Sequence, residues 1–208
     1  MSGISRRKRM STRPSKVRIT QTLISAWEYS FKTDDGYDDF IRTLNREKKQ
    51  PTKAMLDGIK FENCVNNVLD GATIDKDHEW YGVVTELAEY LDGAQKQVNL
   101  FQDTTVDGQP FLLHGVLDFL KAGVIYDTKY SKTYHLNKYL LSPQHPLYLT
   151  LVPEARRFEY LVCDGTYIYK EKYPREIVPP IEYTIKCFMS YLKQHDLWNT
   201  YIEKWRVN

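Results

Sequence analysis

The stretch that decides the fold reads His114-Gly115-Val116-Leu117-Asp118-Phe119-Leu120-Lys121-Ala122-Gly123-Val124-Ile125-Tyr126-Asp127-Thr128-Lys129-Tyr130. Two runs of strand-forming residues flank a short glycine-containing turn, which predicts a β-hairpin. Because side chains alternate across a strand, Asp127 and Lys129 are expected on one face of the second strand. Asp118 lies on the first strand. Two carboxylates and an ammonium are costly to bury in apolar strands unless they are paired or bound to a metal.

The two acids have the composition of a magnesium site. Mg²⁺ takes oxygen ligands, and it is usually held by one or two carboxylates together with substrate phosphate. Such an ion supplies the activated water and the charge stabilisation that phosphodiester hydrolysis needs. Lys129 either orients or deprotonates the attacking water, or it stabilises developing negative charge. The alternative interpretation is that the Asp-x-Lys tripeptide marks a solvated strand edge.

A third acidic residue lies upstream, in a segment that opens with Gly58 and contains Glu62. The apolar residues that follow recur at helical spacing, which predicts an amphipathic helix with Glu62 beside its apolar stripe. Glu62 is therefore expected to project into a cleft. The alternative is an ordinary surface glutamate in the first turn of a helix, where the helix dipole favours it.

A further polar pair lies downstream of the hairpin. Ser142 and Pro143 predict the N-cap and the first residue of a helix. Gln144 and Tyr148 are four residues apart and therefore share a face of that helix. An amide and a phenol hydroxyl can hydrogen-bond a substrate or a catalytic carboxylate, and ordinary packing is the alternative.

Taken in chain order, these elements resemble the PD-(D/E)XK nuclease superfamily, and within it the RecB-type and phage-exonuclease-like branch. The family pattern is Gly-x-x-x-Glu on a helix, Gly-x-x-Asp, Asp/Glu-x-Lys, and Gln-x-x-x-Tyr on the following helix. The chain matches it with Gly58…Glu62, Gly115-Val116-Leu117-Asp118, Asp127-Thr128-Lys129 and Gln144…Tyr148. The resemblance spans roughly residues 55–150. It implies an α/β fold in which a restriction-endonuclease-like mixed β-sheet is flanked by helices.

The resemblance also implies roles for single residues. Asp118 and Asp127 are expected to bind Mg²⁺ or Mn²⁺, with the backbone carbonyl of Thr128 as a further ligand. Glu62 is expected to bind the metal directly or through water. The remaining matched residues are expected to act at the attacking water or the scissile phosphate (Lys129) and to position the active site or the DNA strand (Gln144 and Tyr148).

The activity implied by the resemblance is a divalent-metal-dependent deoxyribonuclease, with exonuclease action on double- or single-stranded DNA. Its setting would be recombination, repair or processing of phage or mobile-element DNA. A non-catalytic DNA-binding or assembly module, a structure-selective endonuclease and an RNA-directed nuclease stay open as alternatives. Since the chain has no Gly-x-x-x-x-Gly-Lys-Ser/Thr motif, ATP-driven unwinding would need a partner. The expected partner is a recombination, helicase or single-strand-binding protein.

Charge is distributed unevenly along the chain. The first 18 residues contain no acid and seven basic residues, Arg6, Arg7, Lys8, Arg9, Arg13, Lys16 and Arg18. Residues 19–208 carry 22 basic against 27 acidic residues, a net charge of −5. We therefore predict a flexible basic arm over residues 1–17 that binds DNA through these side chains. A merely solvated terminus is the alternative.

Length and composition predict one nuclease domain over residues 18–208 behind that arm. No apolar run approaches the roughly 18 residues of a membrane span, and the N-terminus has no secretory apolar region. Three separated cysteines predict a reducing compartment and no iron–sulfur cluster. The expected location is the cytoplasm, that of the host if a phage encodes the chain. The oligomeric state stays open.

Hydrophobic periodicity and turn residues predict the other elements. Helices are expected over residues 18–31, 37–50, 53–70 and about 80–92, with a turn at 33–36 and one or two further helices after Pro180. Strands are expected over 96–106, 110–121, 124–131, 156–163 and 166–172.

Overall fold

The structure, a computed structural model, describes residues 14–207, and in this range six strands form one mixed sheet. The strands are β1 (Val17–Thr20), β2 (Gln95–Val106), β3 (Gln109–Lys121), β4 (Val124–Tyr130), β5 (Arg157–Cys163) and β6 (Ile168–Pro174). Their order is β1-β3-β4-β5-β6, and β2 also pairs with β3. The β1–β3 and β4–β5 pairs are parallel, and the other pairs are antiparallel.

Seven α-helices surround the sheet. They are α1 (Gln21–Tyr29), α2 (Asp34–Leu44), α3 (Lys53–Leu69), α4 (Tyr81–Leu91), α5 (Gln144–Leu151), α6 (Ile181–Gln194) and α7 (Trp198–Trp205). A 3₁₀ turn, Arg175–Ile177, precedes α6. No helix in the described range 14–207 is long and apolar enough to cross a bilayer.

Alternation along the strands divides the apolar core between the two faces of the sheet. On β4, Val124 and Tyr126 belong to a cluster that includes Phe61 of α3 and Val84 of α4. Ile125, between them, belongs to the larger cluster with the other five helices. The helices therefore cover both faces, and the predicted α/β fold with a restriction-endonuclease-like mixed sheet is confirmed.

Two tight turns fix the register of the central strands. Val106 pairs with Gln109, and Lys121 pairs with Val124, so each loop has two residues. The loop residues all have positive φ: Asp107 (49°), Gly108 (79°), Ala122 (49°) and Gly123 (71°). Such turns match the twist of antiparallel strands. They are the reason why the local sequence predicts this three-stranded meander within a residue or two.

The N-terminal region differs from the prediction. Residues 18–31 do not form one helix, because residues 17–20 form β1, in parallel register with residues 111–114 of β3. Helix α1 starts after Thr20, whose side chain caps it by accepting a hydrogen bond from Leu23 N at 3.2 Å. Val17, at the end of the predicted arm, is thus a strand residue, and residues 1–13 of that arm lie outside the described range.

Helix α2 also differs from the prediction, since it starts at Asp34, within the segment 33–36 for which the sequence predicts a turn. The turn instead follows α1, where the backbone N–H of Ser30 bonds to Trp27 O at 3.1 Å and that of Lys32 bonds to Tyr29 O at 2.9 Å. The Asp-Asp-Gly sequence therefore opens a helix, as acidic residues near a helix N-terminus commonly do.

Candidate active site

All six residues with a predicted catalytic role line one cavity of about 580 Å³. They come from four elements: Glu62 from α3, Asp118 from β3, Asp127 and Lys129 from β4, and Gln144 and Tyr148 from α5. The structure thus brings together residues that lie up to 86 positions apart in the chain. Within residues 14–207, however, no three His, Cys, Asp or Glu side chains form a ready metal-binding cluster.

The register of the hairpin brings the two aspartates together. Phe119 pairs with Tyr126, so the next residues along the two strands are Asp118 and Asp127. Asp118 Oδ2 accepts a hydrogen bond from the backbone N–H of Thr128 at 3.0 Å. This bond fixes the Asp118 carboxylate beside β4. Thr128 itself lines the cavity, and its side-chain Oγ1 is buried without a hydrogen-bond partner among the described residues.

Asp127 lies at the centre of the cluster, with a side chain that is 1% exposed. Its Oδ2 is 2.6 Å from Lys129 Nζ, and its Oδ1 accepts a hydrogen bond from the Gln144 amide. Lys129 is about one-third exposed, so its amine borders the cavity. The i, i+2 spacing on one strand places the acid and the amine on the same face.

Burial and mutual repulsion shape the protonation of this cluster. Burial raises the pKa of Asp118 well above its usual range, and the charge of Asp127 raises it further. Burial also raises the pKa of Asp127, against the lowering effect of Lys129. For Lys129, burial lowers the pKa, but the two carboxylates outweigh burial and raise it overall. Lys129 is therefore held as an ammonium, which suits charge stabilisation better than proton abstraction.

Helix α5 is seated directly on β3, and this contact places Gln144. Tyr148 Oη donates a hydrogen bond to Val116 O at 2.8 Å. A Cβ atom on Gly115 would lie 2.4 Å from Tyr148 Cε1, so only glycine permits the approach. Tyr148 thus anchors the helix, and Gln144, one turn earlier, meets Asp127.

The start of this helix corrects one prediction. Helix α5 begins at Gln144, with Pro143 rather than Ser142 at the N-cap position. Ser142 Oγ still accepts a hydrogen bond from Gln144 N, at 3.3 Å. The proline therefore lies one position earlier than expected. The predicted sharing of one helix face by Gln144 and Tyr148 is unaffected.

Glu62 lies on the α3 wall of the cavity and is partly exposed. It is near enough to Asp118 for its charge to raise the pKa of that carboxyl group. Gln97 of β2 donates a hydrogen bond from Nε2 to Glu62 Oε1 at 2.9 Å and lines the same cavity. Gln97 could not be identified from the sequence, because a polar residue in a partly exposed strand carries no signal of its own.

His114, four residues before Asp118, also reaches the cavity wall. Its ring stacks on Phe101 with centroids 4.3 Å apart, and its Nε2 is 2.8 Å from Asn99 Oδ1. Burial lowers the pKa of His114, and the charge of Arg18 lowers it further. His114 is thus a neutral, well-packed side chain beside the acids.

The predicted DNA-binding residues fall into three groups. Five of them, Arg6, Arg7, Lys8, Arg9 and Arg13, lie outside the described residues. Lys16 forms an ion pair with Asp103 at 2.7 Å, whereas Arg18 lines the cavity. Arg46, which the sequence analysis missed, lines the cavity as well and stacks over Trp205 at 5.1 Å from the ring centroid. Arg46 follows the end of α2, and its approach to the site depends on long-range packing.

The residues present fit a hard divalent cation. Asp118 and Asp127 offer carboxylate oxygens, the donor type that Mg²⁺ and Mn²⁺ prefer. Asp127 Oδ2 is buried and contacts the Lys129 ammonium but accepts no hydrogen bond of normal geometry from the described residues. When both aspartates are ionised, one ammonium against two carboxylates leaves a net negative charge, and Glu62 lies close enough to add to it.

Comparison with known proteins gives similarity at the level of the fold. No protein-family model matches the chain, and no curated protein matches it. Among solved structures, it is similar to the crystal structure of SSO0001, with 14% identity, a TM-score of 0.52, and coverage of 88% of this chain and 80% of that one. It is also similar to LHK-Exo in complex with dAMP, with 13% identity, a TM-score of 0.45, and coverage of 85% and 88%. At these identities the likeness concerns architecture and not activity.

Proposed function

We propose that this chain is a divalent-metal-dependent deoxyribonuclease that hydrolyses phosphodiester bonds. The observation that supports the proposal is the cluster of Asp118, Asp127 and Lys129 on one wall of an open cavity. Holding the buried Asp127 and the half-buried Asp118 together beside a single ammonium is unfavourable unless one carboxyl group keeps a proton or a further cation binds, and the open cavity gives a cation access to both. A purely structural cluster would gain nothing from this excess of negative charge.

In the proposed site, Asp118 and Asp127 hold the metal, with Glu62 and the backbone carbonyl of Thr128 as further ligands. When bound, Mg²⁺ or Mn²⁺ supplies an activated water and stabilises charge on the phosphate and the leaving oxygen. The amide of Gln144 orients the Asp127 carboxylate through Oδ1, and Oδ2 lies beside the Lys129 ammonium. The Lys129 ammonium stabilises the negative charge that develops on the scissile phosphate.

DNA is the proposed substrate. Arg18 and Arg46 line the cavity beside the acids, so phosphates that flank the scissile bond would meet positive charge there. The basic segment 1–13 would add sequence-independent attraction to the duplex. Exonuclease action, a cytoplasmic location in a phage or mobile-element setting, and a recombination, helicase or single-strand-binding partner follow from the family resemblance.

The direct test is incubation with end-labelled linear, circular and single-stranded DNA, with Mg²⁺, with Mn²⁺ and with EDTA. We expect degradation of linear DNA with either metal and none with EDTA, with mononucleotides or short products released from one labelled end. Cleavage of circular DNA would instead identify an endonuclease. DNA binding without cleavage under both metals would contradict the proposal and favour the non-catalytic module.

The DNA-binding role of the arm has its own test. A chain that lacks residues 1–13 keeps β1 intact, because the first paired residue is Val17. We expect weaker DNA binding and a shallower salt dependence, with the slope of log K against log salt reduced by about 0.9 for each phosphate that the shortened chain no longer neutralises. Fluorescence anisotropy between low and moderate salt measures both quantities. An unchanged slope would exclude the arm from DNA binding.

A further inference from the structure

Gln97 occupies an unusual position within strand β2. The β2–β3 ladder pairs Lys96 with Phe119 and Val98 with Leu117, but Gln97, which this register places across from Asp118, is not paired. The φ angle of Gln97 is +50°, in the left-handed region. A residue with a Cβ atom rarely adopts that conformation, least of all inside a strand.

This conformation changes the direction of the side chain. Consecutive residues of a regular strand point to opposite faces of the sheet, yet Lys96 and Gln97 both reach α3. The Lys96 ammonium pairs with Asp70 at the C-cap of the helix, and the Gln97 amide bonds to Glu62 at 2.9 Å. The backbone therefore interrupts the alternation at one residue and directs the Gln97 amide to the acid on the cavity wall.

We propose that Gln97 is a positioning residue for Glu62, and this inference rests on the proposed nuclease function. The amide of Gln97 occupies Glu62 Oε1 and leaves Oε2 for a divalent cation. A glutamate on the partly exposed face of a helix samples several rotamers, and ordering it costs entropy on binding. Partners that orient a metal-binding carboxylate in this way reduce that cost and raise affinity.

The backbone strain supports a role for the side chain. Asn and Gly adopt the left-handed region more readily than Gln. The conformational preference of glutamine therefore does not explain why it occupies this position. Its length does, because the amide has to bridge from β2 to α3, and strained residues of this kind gather at functional sites.

The test uses Gln97→Gly, which removes the amide and fits the left-handed backbone. We expect the affinity for Mn²⁺ alone, measured by isothermal titration calorimetry, to fall about 10-fold, and DNA cleavage at limiting Mn²⁺ to fall with it. The thermal unfolding midpoint without metal should stay the same or rise, because the strain is relieved. A merely structural Gln97 would instead lower the midpoint and leave Mn²⁺ affinity unchanged.

Two further variants make the result specific. In a Glu62→Ala background, Gln97→Gly should produce no additional loss of Mn²⁺ affinity, since its effect passes through Glu62. Gln95→Gly, an exposed residue of the same strand, is the matched control and should bind Mn²⁺ and cleave DNA like the wild type. Gln97→Asn, whose shorter amide does not span the gap, should match Gln97→Gly and replaces it if the glycine variant does not fold.

The outcomes separate this inference from the function on which it rests. If the wild-type chain binds Mn²⁺ and cleaves DNA while both Gln97 variants behave like it, the positioning role is wrong and the nuclease stands. The role is also wrong if Gln97→Gly lowers Mn²⁺ affinity as much in the Glu62→Ala background as it does in the wild-type background. If the wild-type chain neither binds Mn²⁺ nor cleaves DNA, the proposed function fails, and the inference fails with it.

Discussion

Adjacent strands β4 and β5 each bury a carboxylate whose cationic partner lies two residues away on the same strand. Asp127 is 1% exposed and 2.6 Å from Lys129, and Glu159 is fully buried and 2.5 Å from Arg157. The two cations are about equally exposed, at 32% and 31%. By spacing, burial and distance, the two ion pairs are almost indistinguishable.

Their surroundings differ. The register pairs Tyr126 with Glu159 and Asp127 with Tyr160, which places the two acids on opposite faces of the sheet. Glu159 meets only one further polar group among the described residues, the hydroxyl of Tyr90 at 3.4 Å, and its charge is balanced by Arg157. Asp127 lies beside a second carboxylate, Asp118, and borders the cavity. The two pairs therefore differ in charge balance and in access to a cavity, and these two differences are the reason why the proposed chemistry is placed at Asp127 and not at Glu159.

Neutralising the two acids should therefore have opposite consequences. We expect Asp127→Asn to reduce DNA cleavage by more than about 100-fold. Losing a residue that only hydrogen-bonds a metal ligand typically costs about 10- to 100-fold in metal affinity or activity, and losing the ligand itself should cost more. Glu159→Gln should leave cleavage by the folded enzyme near the wild-type rate. Its free energy of unfolding should fall by about 1.5–3 kcal/mol, since the charged hydrogen bond from Arg157 to the buried carboxylate is replaced by one to a neutral amide.

Cleavage rates at saturating Mn²⁺, together with urea unfolding curves of both variants, give these quantities. Circular dichroism verifies that Asp127→Asn is folded before its rate is interpreted. The distinction between the pairs would be lost if folded Glu159→Gln were as inactive as Asp127→Asn.

Removing the cations gives a second contrast. Lys129→Ala should lower cleavage by about 100- to 1,000-fold, the range for the loss of one group that stabilises charge developing in the transition state. It should leave Mn²⁺ binding intact or tighter, because a competing positive charge has been removed from the two carboxylates. Arg157→Ala should lower the midpoint of thermal unfolding without changing the rate of the folded enzyme. Mn²⁺ titration calorimetry of Lys129→Ala decides the point, since weaker binding would mean that Lys129 supports the site structurally.

Features that depend on neighbouring residues could be predicted from the sequence. The strands β2, β3 and β4 follow from apolar alternation and two-residue turns, and the hairpin alone places Asp118 near Asp127. The resemblance added Glu62, Gln144 and Tyr148, and the structure brings these residues into the same cavity. Their catalytic roles stay predictions.

Features that depend on distant partners could not be predicted. Strand β1 has only four residues, and its partner in β3 lies more than 90 positions away, so its local pattern indicates the start of a helix instead. Gln97 and Arg46 reach the site through a left-handed backbone residue and through packing against Trp205, respectively. No local pattern signals either position, because the alternation rule fails at Gln97 and Arg46 lies beyond the end of a helix.

The face that carries Asp127 also buries a histidine without a charged partner, and among the described residues the Glu159 face has no buried histidine. His145 of α5 is 3% exposed, stacks on Tyr173 at 4.1 Å and has Nδ1 3.4 Å from Tyr160 Oη. Burial lowers the pKa of His145 to about 4. Between about pH 6.5 and 4 the unfolded chain takes up a proton that the folded chain does not bind, so stability is lost as the pH falls.

This shift corresponds to about 3 kcal/mol of stability between neutral pH and pH 4. We expect His145→Gln to lose less stability than the wild type over this interval, by up to that amount. Urea unfolding of both proteins at neutral pH and near the folded-state pKa measures the difference, and the contributions of Asp118 and Asp127 are common to both. Equal losses in the two proteins would mean that His145 is hydrated or partnered in solution.

The smallest expected effect concerns the contact between α5 and β3, which places the Gln144 amide next to Asp127. The Glu159–Arg157 pair does not depend on this contact. In Gly115→Ala, the new methyl group would overlap Tyr148 and push α5 outward. We expect a loss of about 1–3 kcal/mol in the free energy of unfolding and a fall of about 10-fold in the cleavage rate as Gln144 shifts. Gly58→Ala is the matched control, since its Cβ meets nothing within 4 Å and alanine should stabilise α3 by about 0.5–1 kcal/mol. If Gly115→Ala were as stable and active as Gly58→Ala, tight seating of α5 on β3 would not be what places Gln144.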